Sequence, residues 1–197
     1  MSISLTKFVD FVNSTGLKKR TIVLDSIYPE KYAPYKDFYK NLRNAIISIH
    51  KNNASVEQLT KLIPWTAEIK KKHYNGLISG YQKWAKNKKI SFIEEKNILF
   101  LIGGIELSIN PELIININRK PTIVKLYFKQ DKLEKCAAEM IAVLLSMAFS
   151  TTYKDTFDYA VLDIRRGRLL RITETTPLND IKVVLENEAK LWYNYQN

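Results

Sequence analysis

The sequence predicts an α+β protein: an N-terminal helical region over residues 1–89, then a mixed sheet flanked by helices over residues 90–197. Three observations predict it. Before residue 90, apolar residues recur at three- and four-residue steps, the spacing of one helix face. After it, they gather into short runs rich in Ile, Leu, Val, Tyr and Phe, bounded by Gly, Asn and Pro. The positive charge is also uneven: residues 1–97 carry 18 Lys and Arg against 8 Asp and Glu, whereas residues 98–197 carry 13 against 12. The two segments can equally form one compact unit, since 197 residues suit a single domain of ordinary size.

In residues 4–14, Leu5, Phe8, Val9 and Val12 share a helix face, with Ser4 as N-cap and Gly16 as the stop. Residues 17–35 are mixed, and Pro29 and Pro34 exclude a long helix there. Residues 35–51 read as an amphipathic helix, with Phe38, Leu42, Ala45, Ile46 and Ile49 on one stripe. Another helix begins after Asn53, capped by Ser55 with Gln58 as capping-box partner. Pro64 interrupts it, and a longer helix resumes from Trp65 to about Lys86. Residues 90–104 then give a short strand, a turn near Glu95 to Asn97 and a second strand ending at Gly103-Gly104. Residues 105–117 form the next strand, interrupted or bulged at Pro111. After the turn 118–121 come a strand over 122–129, a helix over 131–149, strands over 159–164 and 169–173 around the turn 165–168, and a helix over 178–195.

The formal net charge of +11 points to a polyanionic partner, nucleic acid before membrane, because Lys and Arg neutralising phosphates supply most sequence-independent affinity. A solvated, merely solubilising basic face is the other reading of the same charge. The single cysteine, Cys136, lies in an apolar run, has no partner within the chain, and reads as a buried small hydrophobe in a reducing compartment. The N-terminus carries Asp10 and no long apolar stretch, so no secretion signal is expected. The best membrane candidate, residues 136–149, is short of the roughly 18–20 apolar residues a span needs and is broken by Glu139. The expectation is a cytoplasmic protein without a membrane partner. His50 and His73 are isolated, and one cysteine cannot complete a zinc set. There is also no phosphate-cradling glycine loop or nucleophile elbow.

Residues 69–89 interleave Lys70, Lys71, Lys72, Lys83, Lys86, Lys88 and Lys89 with His73, Tyr74, Tyr81 and Trp84. Aromatics among lysines suit a nucleic-acid groove, with bases stacking on rings while ammonium groups follow phosphates. Yet Tyr74, Leu77, Ile78, Tyr81 and Trp84 keep helical spacing, which favours a packing stripe with the lysines on a solvated face.

The hairpin over residues 109–129 permits a geometric test. If the loop lies within 118–121 and holds two or four residues, Asn116 faces Ile123, Ile114 faces Lys125 and Glu112 faces Tyr127. All six share one face, and Glu112 becomes a diagonal neighbour of Lys125 at roughly 7–8 Å between Cβ atoms. A plain cross-strand ion pair is one reading of them. A three-residue loop would separate the pair.

Pro111-Glu112 on one strand and Lys125 on the next resemble the PD-(D/E)XK nuclease hairpin, in which a Pro-acid dipeptide and an acid-x-Lys converge on Mg²⁺. The strand-strand-strand-helix-strand order over about 98–172 is similar to that superfamily's restriction-endonuclease-like core. The resemblance implies Glu112 as metal ligand and Lys125 as the group assisting the water nucleophile. The second acid of the motif falls on Ile123, which cannot ligate a metal. A carboxylate from elsewhere could replace it, and Glu139 on the following helix and Glu106 on the preceding strand are the candidates. Glu139 also reads as an ordinary helix-surface glutamate. Asp163 with Arg165, Arg166 and Arg168 extends an anionic-ligand surface, or else is an exposed hairpin whose Gly167 supplies a positive φ. Pro-Glu-Leu followed by Lys-Leu-Tyr-Phe is also similar to a group of uncharacterised bacterial proteins.

The sequence therefore favours a nucleic-acid-binding protein, DNA before RNA, with a degenerate, non-cleaving core and no cofactor. A second reading is an atypical Mg²⁺-dependent nuclease. A third is an interaction or assembly module that meets an acidic protein or forms a homodimer, for which Trp65, Trp84, Trp192 and a Tyr-rich C-terminus provide anchors.

Overall fold

A computed structural model describes residues 2–28, 38–153 and 156–197. Its first elements are β1 (Ile3–Ser4), α1 (Leu5–Val12), α2 (Leu17–Ile27) and α3 (Lys40–Lys51), followed by a 3-10 helix (Val56–Trp65) and α4 (Glu68–Ala85). Then come β2 (Ile90–Glu94), β3 (Ile98–Ile102), β4 (Ile105–Ile109), β5 (Leu113–Ile117), β6 (Lys120–Tyr127), α5 (Lys135–Tyr153), β7 (Asp158–Asp163), β8 (Arg168–Arg171) and α6 (Leu178–Gln196). The architecture is α+β, with helices first and helix-flanked strands after.

The strands form two sheets. One has five strands in the order β2-β5-β6-β7-β8, antiparallel except where α5 carries the chain from β6 to a parallel β7. The other has three, in the order β1-β4-β3. Alternation along the strands divides the core into two parts. Ile114, Ile123 and Val161 face α5, α1, α6 and the small sheet, whereas Leu113, Ile115, Val124, Leu126 and Leu162 face the side chains of α3 and α4. Residues before 90 thus contribute to both parts of the core, α1 and α2 on one side of the large sheet and α3 and α4 on the other.

Several elements differ from the sequence reading. Residues 17–27 are helical, although only Val23 among their apolar residues is buried, so no stripe announced the helix. It is held from outside by packing on α6 and by a short Lys19–Glu188 ion pair. Pro29, Pro34 and the start of the helix expected from residue 35 lie outside the described residues. Ser55 caps the 3-10 helix, but its partner is Glu57 rather than Gln58, and Pro64 sits inside that helix. The two strands expected over 90–102 belong to different sheets, β2 pairing with β5 and β3 with β4. The strand expected over 105–117 divides likewise into β4 and β5, with Pro111 at the crossing, where a residue lacking N–H costs no ladder bond. Of the strand-strand-strand-helix-strand run over 98–172, β3 and β4 therefore lie outside the large sheet.

The helix α5 is buried on most of its circumference, with Ala138, Ile141, Ala142, Val143, Leu144, Leu145, Ala148 and Phe149 all inside. Cys136 is exposed, not buried, because it stands in the first turn, before the helix enters the core. Among the described residues α5 alone has the length and apolarity of a membrane-crossing helix, and its packing against β7, β8, α1 and α6 accounts for that apolarity.

The β7–β8 turn docks on α4 through two glycines. A Cβ at Gly80 would lie 2.1 Å from the Ile164 carbonyl oxygen, and one at Gly167 would lie 2.7 Å from the Gly80 carbonyl oxygen. Gly167 also has the positive φ expected of it, 59°. This contact fixes α4 across one face of the large sheet and so decides which of its residues meet solvent.

Candidate functional site

The β5–β6 hairpin turns through Asn118 and Arg119 alone, with φ of 52° and 71°, the positive values that a two-residue primed turn requires. Ile117 therefore pairs with Lys120 and Ile114 with Ile123, a register two residues from the expected one. A shift of two preserves the face, so the inference that Glu112 meets Lys125 survives while its geometry changes. One step beyond the paired residues Glu112 stands directly across from Lys125, and Lys125 Nζ donates to Glu112 Oε1 at 2.7 Å.

The surroundings of that pair are fully engaged. Lys125 Nζ also donates to the Asn110 carbonyl at 2.7 Å. Glu112 Oε2 accepts the Leu126 backbone N–H at 2.8 Å, standing in for a ladder partner where β5 has ended. Arg43 of α3 brings its Nε to 3.7 Å from Glu112 Oε1. The side chain of Glu112 is 5% exposed and that of Lys125 13%. Together they tie down the segment in which the chain passes from the small sheet to the large one. Arg43 was not legible as a member of this site, since nothing distinguishes it from other cations on an amphipathic helix. The pair lines a cavity of about 240 Å³ with Tyr39, Arg43, Phe128 and Lys129.

The remaining pieces of a metal site do not assemble here. Ile123 is wholly buried in the core beneath α5. Glu106 lies on β4 in the other sheet, across from Leu101 and on the opposite face from the buried Ile105 and Leu107. Glu139 is turned to the loop before α6, where its Oε1 accepts the Thr176 hydroxyl at 3.2 Å and lies 3.7 Å from Lys135 Nζ. Neither carboxylate reaches Glu112 and Lys125. Among the described residues no three His, Cys, Asp or Glu side chains gather as a metal-holding group.

The basic turn after β7 divides into three fates. Arg166 pairs with the buried Asp163 at 3.1 Å and donates to the Gln130 and Asp131 carbonyls, fastening the turn to the segment before α5. Arg165 lies against α4 at Gly76, its Nε and Nη2 buried and without a hydrogen-bond partner among the described residues. Arg168 is exposed at the start of β8. Asp163 holds structure here and faces no anion site: its carboxylate also accepts the Arg166 backbone N–H at 3.3 Å.

On α4 the aromatic stripe is core. Tyr74, Leu77, Ile78, Tyr81 and Trp84 are all buried, so no ring among them is open to a base. Tyr81 makes a short hydrogen bond with His50, whose pKa burial lowers to about 4. The lysines separate by partner. Lys70 donates to the Phe38 carbonyl at 3.2 Å, Lys71 pairs with Glu68 at 2.6 Å, and Lys88 folds back on the Trp84 carbonyl. Lys72, Lys83, Lys86 and Lys89 are exposed and have no carboxylate partner among the described residues. Lys72, Asn75, Ser79 and Lys83 follow one line along the exposed side of the helix, spanning about 16 Å at 1.5 Å per residue. The line runs on through Lys86 toward an open groove of about 620 Å³ lined by Lys88, Lys89, Ile90, Ser91, Asn116 and Arg119. The hairpin tip positions that groove, because Asn118 Oδ1 accepts the Lys89 backbone N–H at 3.0 Å and so sets Lys89 beside Arg119. Arg119 was not among the sequence candidates. Its signal lay in the turn, where its backbone must adopt a positive φ.

No protein-family model matches the chain, and no curated protein matches it.

Proposed function

We propose that the protein binds nucleic acid through the exposed line of α4 and the groove beside it. On this reading the PD-(D/E)XK-like hairpin holds the fold together and does not cut. The observation that supports it above others is the row of unpaired lysines, Lys72, Lys83, Lys86 and Lys89, continued by Arg119. Cations without carboxylate partners release counterions from a phosphate backbone at little desolvation cost, and Asn75 and Ser79 between them can donate to phosphate or sugar oxygens. With Tyr74, Tyr81 and Trp84 buried, the exposed line of α4 offers no tyrosine or tryptophan ring to single-stranded bases, which favours a duplex read through its backbone. DNA is favoured over RNA by the resemblance of the hairpin.

The non-cleaving part rests on the hairpin. Both Glu112 oxygens already accept from Lys125 and Leu126, and the acid expected two residues before Lys125 is the buried Ile123. Mg²⁺ would have to displace a buried ammonium to reach Glu112, with no second carboxylate to compensate.

The test is a fluorescence-anisotropy titration of labelled duplex DNA, single-stranded DNA and duplex RNA across a salt series. Affinity for the DNA duplex should fall with a log–log slope of roughly −3 to −5, as expected for four or five neutralised phosphates. No salt-sensitive affinity for any of the three would overturn the reading. The same DNA incubated with Mg²⁺ or Mn²⁺ should remain intact, and cleavage that disappears in Lys125→Met would overturn the structural role given to the hairpin.

A further inference from the structure

The three-stranded sheet ends in an open edge. Strand β3 pairs with β4 along all five of its residues, and among the described residues its other side pairs with nothing. Edges of this kind are normally blunted by a charge, a proline or a bulge, because unpaired N–H and C=O groups recruit a further strand. β3 has none of these: its sequence is Ile-Leu-Phe-Leu-Ile, and its pairing with β4 is regular throughout. Its outward side chains, Leu99 and Leu101, are 63% and 73% exposed, while Ile98 and Phe100 pack toward the core.

We infer that two copies of this chain join edge to edge through β3, antiparallel about a two-fold axis at Phe100, to make one six-stranded sheet. The sequence of the strand argues for a second copy as the occupant. Ile-Leu-Phe-Leu-Ile reads the same in both directions, so a two-fold axis at Phe100 sets Leu99 across from the other copy's Leu101 and Ile98 across from its Ile102. Every exposed leucine then meets a leucine on the same face. An unrelated partner strand would have no reason to match this symmetry.

Charge points the same way. The strand itself carries no charge, and its sequence neighbours are of both signs, Glu94, Glu95 and Lys96 before it and Glu106 after it, so no row of like charges opposes the pairing of two copies. Lys96, just before the strand, falls across from Gly104 of the other copy and not from its own counterpart. The basic line of α4 lies on the far face of the other sheet, so the association leaves it open. The inference therefore stands or falls independently of the nucleic-acid reading. A five-residue edge buries less than the ~1,600 Å² of a standard interface, so a roughly micromolar association is expected.

Sedimentation equilibrium of the full chain over a concentration series should show a reversible monomer–dimer equilibrium. Leu99→Lys/Leu101→Lys should be monomeric throughout, with far-UV circular dichroism and melting unchanged because both side chains are exposed. In a Cys136→Ser background, Leu99→Cys mixed with Leu101→Cys should form an intermolecular disulfide on mild oxidation, and either variant alone should not. A chain that stays monomeric at the highest concentration overturns the inference, as does a dimer indifferent to the two lysines. Crosslinking within a single variant, in place of the mixed pair, overturns the register.

Discussion

Lys125 and Lys83 carry the same charge in opposite circumstances. Lys125 is largely buried, and its ammonium group is divided between Glu112 and the Asn110 carbonyl. Lys83 stands exposed on α4, in line with Lys72 and without a carboxylate partner among the described residues. The sequence motif draws attention to the first and the bulk charge to the second, but availability decides which can serve a ligand. An ammonium already desolvated and paired gives up a partner to take a new one, whereas an exposed one gives up only water and counterions. The hairpin is therefore a fastening, and the exposed side of the helix is the surface we propose for recognition.

Breaking the fastening gives the largest expected effect. Glu112→Ala removes the one carboxylate that pairs with the buried Lys125 among the described residues and frees the Leu126 N–H, and should cost about 3–5 kcal/mol in urea unfolding. Glu112→Leu/Lys125→Met removes both charges and should recover most of that loss. A Glu112→Ala cost no greater than that of a surface substitution would mean that the hairpin is not structural, and the contrast with α4 would collapse.

The buried contact between His50 of α3 and Tyr81 of α4 gives the next effect. Burial lowers His50 to about 4, so between that pH and the ordinary value near 6.5 the unfolded chain holds a proton that the folded chain does not. The stability of this site is complete above the upper limit and is lost as pH falls through the window, by about 3 kcal/mol in all. Urea midpoints at pH 7 and pH 4.5 measure it. His50→Gln, which keeps a polar partner for Tyr81 but does not titrate, should flatten the profile. An unchanged profile in His50→Gln would place the acid sensitivity elsewhere.

What could be read from the sequence follows the physics of each element. α1, α4 and the β5–β6 hairpin were legible because their apolar residues repeat at the period of their own backbone, and the stripe on α4 was legible as packing for the same reason. α2 was not, since it is held by contacts with α6 that no local pattern records. Assignment of β3 and β4 to a second sheet was equally hidden: periodicity fixes which face is buried, not which strand lies alongside. For the site, strand parity gave the meeting of Glu112 with Lys125 even under a register two residues out. Arg43, the Asn110 carbonyl and the Leu126 N–H come from other elements or from the backbone, and these partners turn a motif into a clamp. Cys136 was misplaced because an apolar neighbourhood in sequence became a first helical turn at the surface.

The smallest effect on stability should come from the surface proposed to bind nucleic acid. Lys72→Gln, Lys83→Gln and Lys86→Gln remove charges that touch no carboxylate, and each should shift stability by less than about 0.5 kcal/mol. Each should lower the magnitude of the salt slope for DNA by roughly one, since one fewer phosphate is neutralised, and the three together should abolish most of the affinity. Lys71→Gln is the matched comparison: it lies on the same helix, but its ammonium is already paired with Glu68 at 2.6 Å. Its substitution should leave both the unfolding midpoint and the slope close to wild type. If Lys71→Gln weakened binding as much as Lys83→Gln, affinity would follow total charge, and the distinction between paired and unpaired cations would lose its functional meaning.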